Sequence, residues 1–292
     1  MQRRAFITSS AAAAACALAP RLRAAAPPRY RVAVCDWMIL KRQRLGAFPL
    51  AREIGADGVE VDMGGLGQRE TFDNQLAKPE VREQFLAAAR EHGLAIPSLA
   101  MSGFYAQSFA ERPGVERMVQ DCLDTMTALQ VKVAFLPLGV PGDLVQRPQL
   151  RPAVVERLRA CGRRAADAGV VLGIETALDA AGEAALLDEI GSPAIRSYFN
   201  FANALQNKRD LPAELRVLGR ERICQIHATN QDGVWLENDP AIDLPAVKRT
   251  LDDLGWSGWL VIERSRDASD ARNVKRNFSA NAAYLKKVFQ AG

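Results

Sequence analysis

The chain is poor in the residues that build disulfide frameworks and zinc clusters. Among 292 residues there are five cysteines and two histidines, and no two cysteines form a CxxC pair. Four cysteines lie far apart among apolar neighbours: Cys35, Cys122, Cys161 and Cys224. This spacing predicts buried free thiols rather than disulfides or a structural zinc site. His92 stands at a predicted helix end, where capping or solvent exposure is expected.

An excess of positive charge is also missing once the N-terminus is set aside. Residues 1–26 carry four arginines and no acidic residue. Without these four, the 38 basic residues fall to 34, equal to the 34 acidic ones. A nucleic-acid partner therefore has no electrostatic support.

Residues 1–26 have the composition of an export leader. A basic start precedes a short alanine-rich stretch, and small residues stand before two prolines. The run RRAFI at residues 3–7 resembles the twin-arginine motif of bacterial leaders. We expect a leader that is removed, and a periplasmic or otherwise exported protein. A disordered tail and lipidation at Cys16 are the alternatives. The alanine-rich stretch is too short to span a bilayer, and no transmembrane span is predicted after it.

From residue 30 onward, short apolar runs alternate with longer amphipathic ones. Eight runs have strand character: 31–37, 58–64, 94–101, 131–139, 170–176, 194–200, 223–229 and 259–265. Helical patterns follow several of them: 48–54, 79–93, 115–129, 151–168 and 270–290. Eight strand-and-helix units predict that residues 30–292 form a single (β/α)8 barrel, an α/β fold with a parallel sheet. The alternative is a doubly wound sheet, but no glycine-rich phosphate loop follows the first strand.

Four polar residues stand at the ends of four consecutive predicted strands: Glu175, Asn200, His227 and Glu263. Barrel chemistry takes place at the carboxyl ends of the strands, so we expect these side chains to converge. A carboxylate in this position is costly unless it is paired or bound to a metal. The set offers oxygen and nitrogen ligands for a divalent cation. An ion pair with the arginines after strand eight is the structural alternative for each carboxylate.

The motifs around these residues resemble those of the sugar isomerase/epimerase group of xylose isomerase-like barrels. They are GADGVEV (55–61), GVVLGIE (169–175), QIHATN (225–230) and GWSGWLVIERSRD (255–267). The resemblance implies a sugar substrate and a divalent metal (Mn, Mg, Co or Zn) held by Glu175, Asn200, His227 and Glu263. The family has an aspartate at position 200, whereas an amide brings no negative charge. Asn200 is thus either a ligand that retains metal weakly or a hydrogen-bonding residue in a decayed site.

In the enzymes that the chain resembles, two glutamates move protons between adjacent carbons through an enediolate that the metal stabilises. The resemblance implies this catalytic role for Glu175 and Glu263. Five residues are candidate substrate contacts: Asn203, Arg266, Trp37, Phe104 and Glu60. A surface salt bridge for the arginine and ordinary loop packing for the two aromatic residues are the alternatives. Asp36 and Asp62 are further acidic candidates.

Export favours a non-phosphorylated sugar or keto-sugar, and the loop after strand seven (230–240) is acidic rather than suited to phosphate. One alternative is a lyase or dehydratase acting on 3-keto-glycosides, which begins with the same proton abstraction. Another is an exported sugar-binding barrel without catalysis. Two histidines cannot supply the three-zinc site of the DNA-repair nucleases in this superfamily. The sequence leaves the oligomeric state open, and a homo-oligomer is compatible with it.

Overall fold

The computed structural model describes residues 28–291, which form a closed barrel of eight parallel strands. The strands are β1 Tyr30–Cys35, β2 Gly58–Asp62, β3 Ser98–Ala100, β4 Val133–Pro137, β5 Val171–Glu175, β6 Ile195–Asn200, β7 Ile223–His227 and β8 Gly258–Ile262. β1 pairs with both β2 and β8, which closes the barrel. The predicted (β/α)8 fold is confirmed. The predicted leader, with Cys16, lies outside the described residues.

Helices surround the barrel. They are α1 Ala47–Ile54, α2 Pro79–Glu91, α3 Val115–Leu129, α4 Arg151–Asp167, α5 Ala180–Ile190, α6 Phe201–Gln206, α7 Leu211–Arg222, α8 Leu244–Asp253 and α9 Val274–Phe289. The five predicted helices correspond to α1–α4 and α9. The apolar pattern did not single out α5–α8. Within residues 28–291, no helix is long and apolar enough to cross a membrane.

Alternate residues of each strand face two separate cores, because successive side chains of a strand point to opposite sides. The outer core lies between strands and helices. The inner core fills the barrel with small and aromatic residues: Ala33, Cys35, Ala100, Phe135, Tyr198, Trp259 and Val261. Gly173 on β5 makes room for Cys224 and for the ring of Tyr198, since a Cβ there would lie 2.6 Å from Cys224 Sγ and 3.0 Å from Tyr198 Cδ2.

The cysteines are free, as predicted, but they are not equally buried. Cys35, Cys122 and Cys161 are buried, whereas Cys224 is half-buried. His92 caps the carboxyl end of α2 and is half-buried. Of the two histidines, His227 is thus the one that lies on a barrel strand, at the end of β7.

Candidate active site

The four predicted residues converge at the carboxyl ends of their strands. Glu175, Asn200 and His227 are the last residues of β5, β6 and β7, and Glu263 follows β8 directly. His227 Nδ1 lies 3.1 Å from Glu175 Oε2 and 3.8 Å from Glu263 Oε2. All four side chains are buried, with at most 6% of any residue exposed. The expected grouping is therefore present.

Asn200 points its amide nitrogen, not its oxygen, at the two carboxylates. Its Nδ2 donates to Glu175 Oε2 at 2.8 Å and lies 3.2 Å from Glu263 Oε2. Its Oδ1 accepts from the backbone N–H of Ala202 at 2.8 Å, because α6 begins directly after β6 and Asn200 is its N-cap. Rotating the amide by 180° would point its NH2 group at the Ala202 N–H, which is also a donor. This differs from the expectation of an amide oxygen as a metal ligand.

Tyr105 is a site residue that the sequence reasoning missed. Its hydroxyl lies 2.9 Å from Glu263 Oε1 and 3.2 Å from Glu175 Oε1. Tyr105 belongs to a short 3-10 helix, Ser102–Ala106, after β3. The neighbouring residue, Phe104, was the predicted substrate contact, but it is fully buried in the outer core. The sequence signal for an aromatic site residue was the Phe-Tyr pair directly after a predicted strand. The direction of the turn determines which of the two rings reaches the barrel mouth.

The two oxygens of each glutamate therefore face different neighbours. Oε2 of Glu175 and of Glu263 faces His227 and Asn200. Oε1 of each glutamate is the oxygen nearer to the Tyr105 hydroxyl, which also lies 3.4 Å from Glu175 Oε2. The imidazole and amide thus contact mainly one side of the carboxylate pair, and the phenol mainly the other.

Burial and charge shift the pKa values of these groups strongly. Burial acts to lower the pKa of His227, but Glu263, Glu175 and Glu60 outweigh it and raise the pKa to about 10. Burial, opposed by His227, raises the pKa of Glu263. Burial and the two carboxylates hold the pKa of Tyr105 well above its usual value, so the phenol stays protonated. A metal binds the neutral form of a histidine, so a cation at His227 competes with a proton for the ring nitrogen.

Three of the four residues fit a divalent metal. The Oε2 atoms of Glu175 and Glu263 lie 3.1 and 3.8 Å from His227 Nδ1, and this donor set suits cations such as Mn²⁺ and Zn²⁺. Three protein ligands with open positions are typical of catalytic metal sites. The NH2 group of Asn200 has no lone pair to offer, so it does not complete the set as a fourth ligand.

A cleft of about 240 Å³ opens beside Glu175 and Tyr105. Its wall contains the β4–α4 loop with Asp143, and its rim contains Asn203, whose Nδ2 donates to the backbone oxygen of Thr176 at 3.1 Å. Amides and hydroxyls dominate its polar lining, and no lysine or arginine is among the described residues that line it. Such a surface suits the hydroxyl groups of a sugar.

The other predicted contacts lie outside this cleft. Trp37 is half-buried and stacks on Phe135 in the inner core, with ring centroids 6.4 Å apart. Arg266 forms two hydrogen bonds with Asp232, at 3.0 and 2.6 Å. Glu60 is fully buried beneath His227, with its Oε2 3.2 Å from His227 Nε2. The structure thus brings Asn203 to the cleft and places these three residues elsewhere.

A sequence profile for xylose isomerase-like TIM barrels matches residues 48–288. The chain belongs to this family. It is similar to a 2-epi-5-epi-valiolone 7-phosphate 2-epimerase from Actinoplanes sp., with 30% identity over 190 residues, which cover 64% of this chain and 68% of the relative.

Solved structures of this family have the same fold. A D-psicose 3-epimerase from Clostridium cellulolyticum H10 has a TM-score of 0.70 at 14% identity, covering 89% of this chain and 99% of the other. A 3-keto-D-glucoside 4-epimerase from E. coli has a TM-score of 0.66 at 17% identity, covering 88% and 99%. At these identities the likeness concerns the barrel itself.

Proposed function

We propose that this xylose isomerase-like barrel is a sugar epimerase or isomerase that acts on a non-phosphorylated sugar or keto-sugar. The observation that carries the proposal is the pair of buried glutamates, Glu175 and Glu263, on either side of the Tyr105 hydroxyl. That hydroxyl marks a point within hydrogen-bond reach of both carboxylates. The epimerase named among the relatives supports the same reaction class.

The chemistry we propose is proton transfer next to a carbonyl group. One glutamate, as carboxylate, takes the proton from the carbon beside the C=O. The electron pair of the broken C–H bond moves toward the carbonyl oxygen and gives an enediolate. The other glutamate, as carboxylic acid, then delivers its proton to the opposite face of the carbon. The product is the epimer, and the two glutamates have exchanged protonation states. Tyr105 orients the two Oε1 atoms for this transfer.

We further propose that His227 Nδ1 and the Oε2 atoms of Glu175 and Glu263 hold a divalent metal. When bound, the metal supplies a Lewis acid that stabilises negative charge on the substrate oxygen. Asn200 contributes by holding the two Oε2 atoms in place with its NH2 group.

The absence of a cation in the described cleft lining supports a substrate without phosphate. A phosphate group is commonly bound by Arg or Lys, and Asp143 in the cleft would repel it. The Actinoplanes relative is named for a 7-phosphate substrate, so we propose that this chain differs from it in substrate class.

Hydrogen exchange tests the proposal. The purified protein, loaded with Mn²⁺ and then exchanged into Mg²⁺ for NMR, is incubated in D₂O with 2-ketohexoses and with 3-keto-glucosides. We expect deuterium at the carbon next to the carbonyl, together with the epimer, and neither product with Glu175→Gln. Release of the aglycone would instead indicate that the reaction is an elimination, as in a lyase. Binding without any exchange would reduce the chain to a sugar-binding barrel and contradict the proposal.

We also propose that residues 1–26 export the chain through the twin-arginine route. The twin arginines at positions 3 and 4 support this, and export would remove the enzyme from most sugar phosphates. Cell fractionation tests the idea, with the double substitution Arg3→Lys and Arg4→Lys expected to retain the protein in the cytoplasm. Equal export of both forms would contradict it.

A further inference from the structure

Glu60 is the centre of a hydrogen-bond network inside the barrel, below the candidate active site. Its Oε1 accepts from Ser98 Oγ at 2.8 Å and from the Tyr198 hydroxyl at 2.7 Å. Its Oε2 lies 3.2 Å from His227 Nε2 and 3.4 Å from Cys35 Sγ. Four strands thus direct polar hydrogens at one carboxylate of a fifth strand, β2. No part of Glu60 is exposed, so a direct contact with substrate does not explain it.

Gln225 is a second partner of both hydroxyls, and its own Oε1 has no hydrogen-bond partner among the described residues. Its Nε2 donates to Ser98 Oγ at 2.8 Å and to the Tyr198 hydroxyl at 2.7 Å. Each hydroxyl therefore has its own proton free for Glu60 Oε1. Glu60 Oε1 therefore accepts two hydrogen bonds. The remaining oxygen, Oε2, is left to accept a hydrogen bond from a proton on His227 Nε2.

We propose that Glu60 is a positioning residue that keeps a proton on His227 Nε2 and so presents the Nδ1 lone pair to the metal. The inference rests on the proposed function, because it concerns the same metal. A neutral imidazole carries one N–H, so fixing it at Nε2 leaves Nδ1 free. Nδ1 is the atom that lies 3.1 Å from Glu175 Oε2. Histidines that bind metals commonly donate their second N–H to a carboxylate in this way.

The same atoms allow one competing arrangement. Cys35, Glu60 and His227 lie close enough together to hold a metal among themselves. His227 Nε2 cannot carry a proton and a metal at once, so the two arrangements exclude each other. The hydroxyl donors that already satisfy Glu60 favour the proton.

The experiment uses a chain with a single histidine. His92→Gln leaves His227 as the one histidine of the sequence, and ¹⁵N-histidine labelling makes its two ring nitrogens visible by NMR. Zn²⁺ is the probe because it is diamagnetic. Glu60→Gln is compared with Glu183→Gln, the same substitution at a buried glutamate of α5 whose partner is Thr176 Oγ1 at 2.7 Å.

We expect Glu60→Gln to weaken Zn²⁺ binding by about 10- to 100-fold, as is typical for partners of metal-binding histidines. The Nε2 proton should be visible in the parent with and without Zn²⁺. It should move upfield in Glu60→Gln, because a neutral acceptor makes a weaker hydrogen bond than a carboxylate. Glu183→Gln should leave both readouts at the parent values. If Glu60→Gln does not fold, Ser98→Ala removes one donor to Glu60 and should shift both readouts in the same direction by less.

Two results would overturn the proposal. The first is a Glu60→Gln chain with the Zn²⁺ affinity and the Nε2 proton signal of Glu183→Gln. The second is replacement of the Nε2 proton by Zn²⁺, with loss of Zn²⁺ binding in Cys35→Ser, which would establish the buried metal instead. Failure of the proposed function is separate. If the parent binds no Zn²⁺, the metal hypothesis fails, while the Nε2 proton shift of the metal-free Glu60→Gln chain, compared with that of Glu183→Gln, still tests the hydrogen bond from His227 to Glu60.

Discussion

Two groups of buried carboxylates lie at the mouth of this barrel, and they are satisfied in different ways. Around His227, the carboxylates of Glu175 and Glu263 receive hydrogen bonds from side chains: an amide, an imidazole and a phenol. At the ends of β1 and β2, Asp36 and Asp62 receive theirs mainly from the backbone. Asp36 accepts from the N–H groups of Gln43 and Asp62, and Asp62 accepts from that of Gly64.

The difference separates a site for chemistry from a structural clamp. A backbone N–H is fixed by the fold, so Asp36 and Asp62 tie the loops after β1 and β2 in place. Burial raises the pKa of Asp36 well above its usual value, with Asp62 adding to it. Side-chain donors, by contrast, can give up a carboxylate oxygen to a cation or a substrate. In the proposed reaction the glutamates can therefore change partners, whereas a change of partners for the aspartates would require the backbone of these loops to move.

The largest effect should come from removing one exchangeable carboxylate. We expect Glu263→Gln to lower kcat by about 10²- to 10⁴-fold, the range for a lost general acid or base. Steady-state kinetics on the substrate found by deuterium exchange measure the effect. Glu237→Gln, at an exposed glutamate paired with Lys287, is the control and should keep the parent activity. A fall below tenfold at position 263 would remove Glu263 from the proton-transfer pair.

Asn200→Asp should replace the NH2 group that donates to the two glutamates with a carboxylate oxygen that can bind the metal. Oδ1 would still cap α6, while Oδ2 would replace the NH2 group 2.8 Å from Glu175 Oε2. A third carboxylate repels the other two without metal and attracts the cation when it is present. We expect a lower Tm in EDTA and an affinity for Mn²⁺ higher by about tenfold or more, since tenfold corresponds to roughly 1.4 kcal/mol.

Asn273→Asp is the matched control for this change. Asn273 caps α9 with its side chain as Asn200 caps α6, but it is exposed and far from the site. Calorimetric titration with Mn²⁺ and thermal unfolding should not distinguish it from the parent. An Asn200→Asp chain with parental Mn²⁺ affinity would argue against a metal between Glu175, His227 and Glu263.

Tyr105→Phe should have a smaller effect, because it removes a hydrogen bond and leaves both carboxylates present. A hydrogen bond to a charged group contributes about 1.5–3 kcal/mol, which at the lower limit is roughly tenfold in rate. We expect kcat to fall by about tenfold with a smaller change in the affinity for Mn²⁺, because the shorter contacts of Tyr105 are to the Oε1 atoms. Tyr284→Phe on α9 is the control. A loss of metal affinity equal to the loss in rate would contradict the division between the two sides of the glutamates.

The fold and the convergence of Glu175, His227 and Glu263 could be predicted because a parallel barrel imposes them. Every strand is buried on both faces, so it reads as an apolar run, and a polar residue at its carboxyl end stands out. The identity of the ring at the mouth could not be predicted. Tyr105 rather than Phe104 faces the glutamates, and its ring packs 5.8 Å from that of Phe135, a tertiary contact that the strand pattern does not specify.

The orientation of Asn200 could not be read from the strand pattern either. It follows from α6 beginning without an intervening loop, which makes Asn200 an N-cap. Asparagine is a favoured N-cap residue, so the signal was present, but α6 has only six residues and no marked apolar pattern. The strand pattern therefore predicts the position of Asn200, whereas the N-cap hydrogen bond fixes the orientation of its amide.

The smallest effect should come from the structural clamp, through Arg42. Its Nε lies 3.2 Å from Asp62 Oδ1, and its side chain is 44% exposed. Burial raises the pKa of Asp62 to about 6 even though Arg42 opposes the shift. Because this pKa exceeds the usual value of about 3.9, ionisation of Asp62 costs the fold stability as the pH rises from about 4 to about 6.

Arg42 offsets part of that cost, and it does so only when Asp62 is ionised. Arg42→Gln should therefore have little effect near pH 5, where the protonated form of Asp62 dominates, and its full effect near pH 8. Solvent screening limits that effect to about 1 kcal/mol, or about 2 °C in Tm for a chain of this size. Thermal unfolding at both pH values measures it, with Arg44→Gln in the same loop as the control. An equal loss at both pH values would instead assign Arg42 to its hydrogen bond with Ser102 Oγ.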